Sequence, residues 1–228
     1  LTPIQLSAER IKRKFAPKLS DDSEELEKMT GVIVRQTDDL RKIVDEFSKF
    51  ARLPEPQKKT EDLGELVSAA VLLQEAGQPN VVFNLDLPAH EVLVEIDVTM
   101  ISQSLINILK NAGEAIEARQ IKSGEIPKGE IRISLEQRSD KALITISDNG
   151  IGLPEDRARL FEPYVTTRKQ GTGLGLAIVK KIIEEHGGIL RLSDAERFKD
   201  TRICGAKVVI DLPLSVEHQD IKANEGTT

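Results

Sequence analysis

The chain has 228 residues, 39% hydrophobic and 31% charged, with a formal net charge of −6 at pH 7 and an isoelectric point near 5.3. That length accommodates one large domain or two small ones, and the acidic balance excludes a general nucleic-acid footprint, which needs a basic excess on one face. Cys204 is the one cysteine, so no intramolecular disulfide can form, and with no Trp and one Tyr the stacking platforms used on single-stranded nucleic acid are scarce.

A reducing cytosolic compartment fits this cysteine usage, and Cys204 reads as a packing residue. The longest apolar runs, such as Ala69 to Leu73, fall far short of the ~20 residues needed to cross a bilayer, and no signal peptide is visible. No membrane contact is therefore expected of this stretch of chain.

In chain order, residues 1–53 predict two helices broken at Ala16-Pro17-Lys18-Leu19, because proline removes a backbone donor and cannot continue the first helix. Ser20 is a good N-cap for the second helix, and Asp21, Asp22, Glu24 and Glu25 complement the positive end of its dipole. Along that helix Leu26, Met29, Ile33, Leu40, Val44 and Phe47 recur at spacings of three, four or seven, the pattern of a bundle seam. The first helix offers Ile4, Leu6, Ile11 and Phe15. Two such helices make half of a four-helix bundle, so a second copy of the chain is expected to complete the core as a homodimer.

Pro54 and Pro56 end the helix and open a linker over residues 54–60. A second domain is expected over 61–214. Its pattern predicts helices at 62–76, 98–119 and 173–186 and strands at 81–87, 92–96, 130–136, 141–147, 188–193 and 206–212. Runs such as Ile131 to Leu135 and Ala142 to Ile146 alternate with period two, as strands with one buried face should. The fold class is α+β, a helical hairpin followed by an α/β sandwich with helices on one face of a mixed sheet. The polar tail, 215–228, is expected to be disordered.

Three segments carry chemistry. Asp148-Asn149-Gly150-Ile151-Gly152 follows a strand directly, and a carboxylate there can accept a hydrogen bond from an exocyclic amine while Gly150 and Gly152 let backbone approach a flat ring. The same tripeptide is also an ordinary turn. Gly171-Thr172-Gly173-Leu174-Gly175 opens a helix and bares several N–H groups at the positive end of its dipole, a seat for phosphates or else a plain glycine hinge. Its spacing departs from the dinucleotide fingerprint and no Walker lysine follows. Between the two lies a polar, lid-like span with Phe161, Arg168 and Lys169. Arg168 and Lys169 would meet a terminal phosphate or form a solvated charge pair. On the long helix, Asn107 and Asn111 are four apart and share one face among apolar residues, offering neutral oxygens of the kind Mg²⁺ accepts.

In this order, the segments resemble the N, G1, F and G2 boxes of the ATP-binding domain of sensor histidine kinases, a nucleotide fold shared with the Hsp90 and gyrase ATPases. The resemblance covers residues 97–213. It implies ATP and Mg²⁺ as cofactors, with Asn111 as metal ligand, Asp148 on the adenine amine, Asn107 helping to hold phosphates, Phe161 anchoring the lid and the G2 glycines on its phosphate side. The gyrase, Hsp90 and MutL relatives carry a water-activating glutamate one helical turn before the metal asparagine. Asn107 stands there in this chain, which points to phosphoryl transfer to a histidine. The alternative from another class is an ATP-sensing scaffold without transfer.

Leu1-Thr2-Pro3-Ile4-Gln5-Leu6 looks like the continuation of an H box, whose acceptor histidine would lie just upstream of Leu1. The run from Gln36 to Arg52 is close to NtrY-type nitrogen-regulation sensor kinases. This implies the cytoplasmic portion of an inner-membrane-anchored sensor, with an NtrX-like response-regulator receiver domain as partner, docking near Ser7, Arg10 and Lys14. His90, His186 and His218 are not on the hairpin. No catalytic histidine is therefore expected in this chain, which should bind ATP without labelling itself.

Overall fold

A computed structural model describes residues 1–19, 22–51, 53–123, 128–166, 172–198 and 204–215. The expected cap at Ser20 and Asp21, and the tail beyond Ser215, lie outside these. The chain divides into two compact units, Leu1–Leu53 with Thr166–Leu174, and Pro54–Val165 with Gly175–Thr228.

In the first unit, Pro3 stands in the opening turn of α1 (Thr2–Phe15), and Lys12, Arg13 and Lys14 complement the negative end of its dipole. Pro17 sits in a single 3₁₀ turn, Ala16–Lys18, after which Leu19 is extended. The returning helix, α2 (Ser23–Ala51), lies against α1. Arg41 donates to Thr2 Oγ1 at 3.1 Å and to Gln5 Oε1 at 3.2 Å, tying the far half of α2 to the start of α1. The hairpin is therefore antiparallel.

Within one chain, the interior of the hairpin lies apart from the apolar seam. The buried side chains are small: Ala8, Ala16, Thr30 and Thr37. Thr30 and Thr37 satisfy their hydroxyls on the carbonyls of Leu26 and Ile33, each at 2.7 Å, so the helices approach closely without orphaned polar atoms. The large apolar side chains, Ile4, Leu6, Ile11 and Phe15 on α1 and Met29, Ile33, Leu40, Val44 and Phe47 on α2, are all exposed.

The second unit opens on β1 (Lys59–Asp62), which pairs antiparallel with β3 (Leu93–Ile96). β1 takes the end of the expected linker. Its residues, Lys59-Thr60-Glu61-Asp62, have no apolar alternation, and the strand exists because β3 supplies the ladder. Asp62 caps α3 (Leu63–Gly77), its Oδ1 accepting from Gly64 N–H and from Val92 N–H, both at 3.0 Å.

The main sheet comprises β2 (Val81–Asp86), β4 (Gly129–Arg138), β5 (Lys141–Asp148), β6 (Ile189–Asp194) and β7 (Ala206–Pro213), in the order β2-β4-β5-β7-β6. β2 runs parallel to β4, and the remaining neighbours are antiparallel. α4 (Val98–Ser123) and α5 (Gly175–Glu185) pack with α3 on one face. Ile131, Ile133 and Leu135 of β4, Ile144 and Ile146 of β5, and Ile210 and Leu212 of β7 are buried, as are Ile101, Leu105, Ile108 and Ile116 of α4 and Val179, Ile182 and Ile183 of α5. Each such side chain contributes about 1.5–3 kcal/mol on burial. This is the mixed sheet with helices on one face that the alternation implied, its element ends shifted by a few residues.

On the helix-free face Arg191 makes a two-oxygen pair with Asp211, at 2.8 and 2.7 Å, and Arg132 stacks 4.0 Å from the centre of the buried Phe198 ring. The first contact ties β6 to β7, and the second holds the connection after β6 against β4.

Candidate functional site

The long helix α4 organises the site. Residues four apart lie one above another on a helix, so Asn107, Asn111, Ala115 and Arg119 form a stripe about 18 Å long. At its first position Asn107 Nδ2 donates to the Gly175 carbonyl at 3.4 Å. A Cβ on Gly175 would lie 2.9 Å from Asn107 Oδ1, so glycine is what lets the start of α5 sit against this amide. Asn111, partly buried, lies one turn further on. At the third position the Ala115 carbonyl accepts from Ile151 N–H at 3.2 Å. At the fourth, the buried Arg119 donates through Nη1 to the Asn149 carbonyl.

The segment leaving β5 is thus pinned from below. Asp148 is buried, and its Oδ1 accepts from Gly150 N–H at 2.8 Å and from Ala206 N–H at 3.3 Å. Asn149 ties the turn to β4: its Oδ1 accepts from Glu130 N–H, and its Nδ2 donates to the Lys128 carbonyl, both at 3.0 Å. Gly152 has φ of +77°, and a Cβ there would meet the Cys204 carbonyl at 2.5 Å. Only glycine suits both that conformation and that neighbour. Cys204 contributes packing through its backbone, and its thiol is half-buried.

Electrostatically, Asp148 and Arg119 form a buried opposite-charge pair. Burial lowers the Arg119 pKa and the Asp148 charge opposes that shift. Two opposite charges thus lie together under the turn, where water is scarce.

Phe161 ends a 3₁₀ turn, Ala158–Phe161, with Lys180 Nζ of α5 5.3 Å from the ring centre. Three residues later Tyr164 has φ of 67°, a left-handed conformation that costs a non-glycine residue energy and marks a shaped turn. In the Thr166–Leu174 segment, Gly173 has φ of 71°, Leu174 is buried and its N–H reaches Thr172 Oγ1 at 3.5 Å. Arg168, Lys169 and Gly171 lie outside the described residues. Among the described residues no group of three or more His, Cys, Asp or Glu side chains could hold a metal ion.

Sequence reasoning missed two devices. Arg119 was legible in principle, since it continues the four-residue step of Asn107 and Asn111. The second device is His186, at the end of α5, which the structure makes a neutral clamp. Its Nδ1 donates to the Ile182 carbonyl at 2.7 Å, and its Nε2 accepts from Asp97 N–H at 2.9 Å. Asp97 in turn caps α4 through Met100 N–H at 3.1 Å and holds Gln57 N–H at 3.0 Å. Burial raises the Asp97 pKa, but hydrogen bonds from Gln57, Met100 and Thr99 outweigh it and hold the carboxyl below its usual value.

For His186, burial lowers the pKa, the Ile182 carbonyl raises it, Lys58 lowers it further, and Asp97 and Glu185 raise it, the net direction being down from 6.5. The folded state then binds fewer protons than the unfolded one near that pH. Stability from the clamp is present above 6.5 and is lost as pH falls through the folded value. Acidification from pH 7.5 to 5 is expected to lower the midpoint of thermal unfolding. His186→Gln should flatten that pH dependence, as read by scanning calorimetry of the two chains across the range.

A two-layer sandwich that aims a buried carboxylate, two stacked asparagines and a glycine-led helix at one face of its longest helix is an adenine-nucleotide module. Residues 96–216, more than half of the chain, match the family model of histidine kinase-, DNA gyrase B- and HSP90-like ATPases. The chain belongs to that family. It is 50% identical over 196 residues to nitrogen regulation protein NtrY of Azorhizobium caulinodans, covering 86% of this chain and 25% of that protein. An NtrY-like sensor histidine kinase of Rickettsia felis is 35% identical over 227 residues, covering 99% of this chain and 35% of the other. The structure of histidine kinase ThkA in complex with response regulator protein TrrA superposes with a TM-score of 0.62 at 28% identity, covering 93% of this chain and 59% of that one. The chain spans about a quarter to a third of the length of these curated relatives.

Proposed function

We propose that this chain is the ATP-binding and dimerisation region of a two-component sensor histidine kinase, which phosphorylates a histidine for relay to a response-regulator aspartate. The α4 stripe carries the reading, because one rigid helix face holds both the acidic turn after β5 and the glycine that starts α5. Asp148 accepts the adenine amine, and Gly150 and Gly152 admit the ring. Asn107 holds the first turn of α5, so that its N–H groups face phosphate oxygens. When bound at Asn111, Mg²⁺ would neutralise charge on the phosphates. Thr172, Gly173 and Leu174, with Arg168, Lys169 and Gly171, keep the phosphate and lid roles of the sequence motif, and Phe161 anchors the lid. With Asn107 where related ATPases carry glutamate, no carboxylate one turn before Asn111 activates water, which favours transfer over hydrolysis.

The exposed apolar faces of α1 and α2 are read as the homodimer seam. Ser7, Arg10 and Lys14, exposed on α1, are read as the response-regulator docking face, an NtrX-like regulator being the partner. The ThkA complex with TrrA supports a partner of that kind. The reading includes the cytoplasmic side of an inner-membrane sensor. Among the described residues no helix is long and apolar enough to cross a membrane.

Titration with a fluorescent ATP analogue tests the reading, and binding that depends on Mg²⁺ is expected. Absence of binding with Mg²⁺ present would remove it. Self-labelling is a separate matter. His90 is exposed and bonded to Gln137 at 2.8 Å, and both ring nitrogens of His186 are engaged. Incubated with γ-labelled ATP, residues 1–228 should acquire no acid-labile phosphate, whereas a chain extended upstream through the H box should. An acid-labile adduct on residues 1–228 is the contrary result.

A further inference from the structure

Arg119 is a guanidinium with only 2% of its surface exposed. A cation is seldom buried so completely unless it is paired, and here its partners are the two residues at the head of the turn after β5: the Asn149 carbonyl as hydrogen-bond acceptor and the Asp148 carboxylate by charge. Asp148 is itself 4% exposed and anchored by N–H donors from two different segments, Gly150 and Ala206. The turn is further held by Asn149 to Lys128 and Glu130. Gly150 and Ala206 hold this carboxylate through backbone amides, and Arg119 brings a full opposite charge.

We infer that Arg119 is a positioning residue for base selection: it holds the Asp148 carboxylate ionised and aimed, and so sets the preference for a purine bearing an exocyclic amine. The inference rests on the reading of Asp148 as the acceptor of the adenine amine. An ionised carboxylate only accepts hydrogen bonds, so it favours an amine donor and repels a carbonyl oxygen at the same place. Without the guanidinium, the buried carboxylate gains from taking up a proton, becomes a donor as well as an acceptor, and loses that discrimination.

The test compares ATP with inosine triphosphate, which carries an oxygen in place of the amine, on the full chain by direct binding. Arg119→Met is expected to weaken ATP binding about tenfold while leaving inosine triphosphate within about twofold, the scale of losing one charge-assisted hydrogen bond. In an Asp148→Asn background the same substitution should add less than about twofold, since both act on one contact. A parallel loss for both nucleotides, or a full effect in the Asp148→Asn background, would overturn the inference and leave Arg119 a fold residue. Should Arg119→Met not fold, Arg119→Lys replaces it. One ammonium in place of the fork should give the same selective loss at about threefold, and a non-selective loss again overturns it. Asp148→Asn alone tests the underlying reading: unchanged preference for ATP there would remove the base contact itself, a result distinguishable from failure of Arg119.

Discussion

Asn111→Ala is expected to weaken Mg-ATP binding by about 100-fold, the upper range for removing groups that hold a metal. Asn111 lies on the same helix face, between Asn107, which donates to Gly175, and Ala115, whose carbonyl accepts from Ile151, and it is the position proposed to hold the metal. No cluster of three or more acidic, histidine or cysteine side chains among the described residues offers a substitute cation site. In EDTA the variant and the parent chain should bind a fluorescent ATP analogue alike, which separates loss of the metal contact from loss of the fold. Asn111→Asp keeps an oxygen ligand and should retain more of the Mg²⁺-dependent binding than alanine does. Equal affinities of the parent and alanine chains in Mg²⁺ would remove Asn111 from the site.

The second large effect concerns the hairpin. Its interior is filled by Ala8, Ala16, Thr30 and Thr37, while Leu40 and Val44 are each 51% exposed in the single chain. Burying such side chains against a second copy contributes about 1.5–3 kcal/mol each, and a carboxylate placed in the seam adds a desolvation cost. With 1.4 kcal/mol equal to a factor of ten, the pair Leu40→Glu and Val44→Glu should weaken association by well over 100-fold. Light scattering should then fall from the mass of two 25.2 kDa chains to that of one. ATP binding should be retained. A parent chain already of single mass at micromolar concentration would contradict the dimer.

Much of the site could be read before any coordinates. The period-two runs of β4 and β5, the acidic turn after β5 and the two asparagines four apart are local patterns, and local patterns survive in one dimension. β1 could not be read, because Lys59-Thr60-Glu61-Asp62 becomes a strand only through its ladder with β3. The hairpin was read correctly as two helices, with an apolar stripe too large for one hairpin to bury. Periodicity marks an apolar stripe without saying which neighbour covers it, and here small residues cover the intramolecular contact.

By itself, then, the sequence determined the order of elements and the family resemblance, and with it the residues proposed for adenine, phosphate and metal. Each of these depends on neighbours within a few positions along the chain. Tertiary structure decided what those residues lean on. Arg119 meets Asn149 across 30 positions, and His186 meets Asp97 across 89. The parallel placement of β2 beside β4, and β7 between β5 and β6, likewise came only with the fold. The physical reason is common to all of them. A buried charge or a neutral imidazole acquires its state from partners brought together by packing, and no local pattern encodes that meeting.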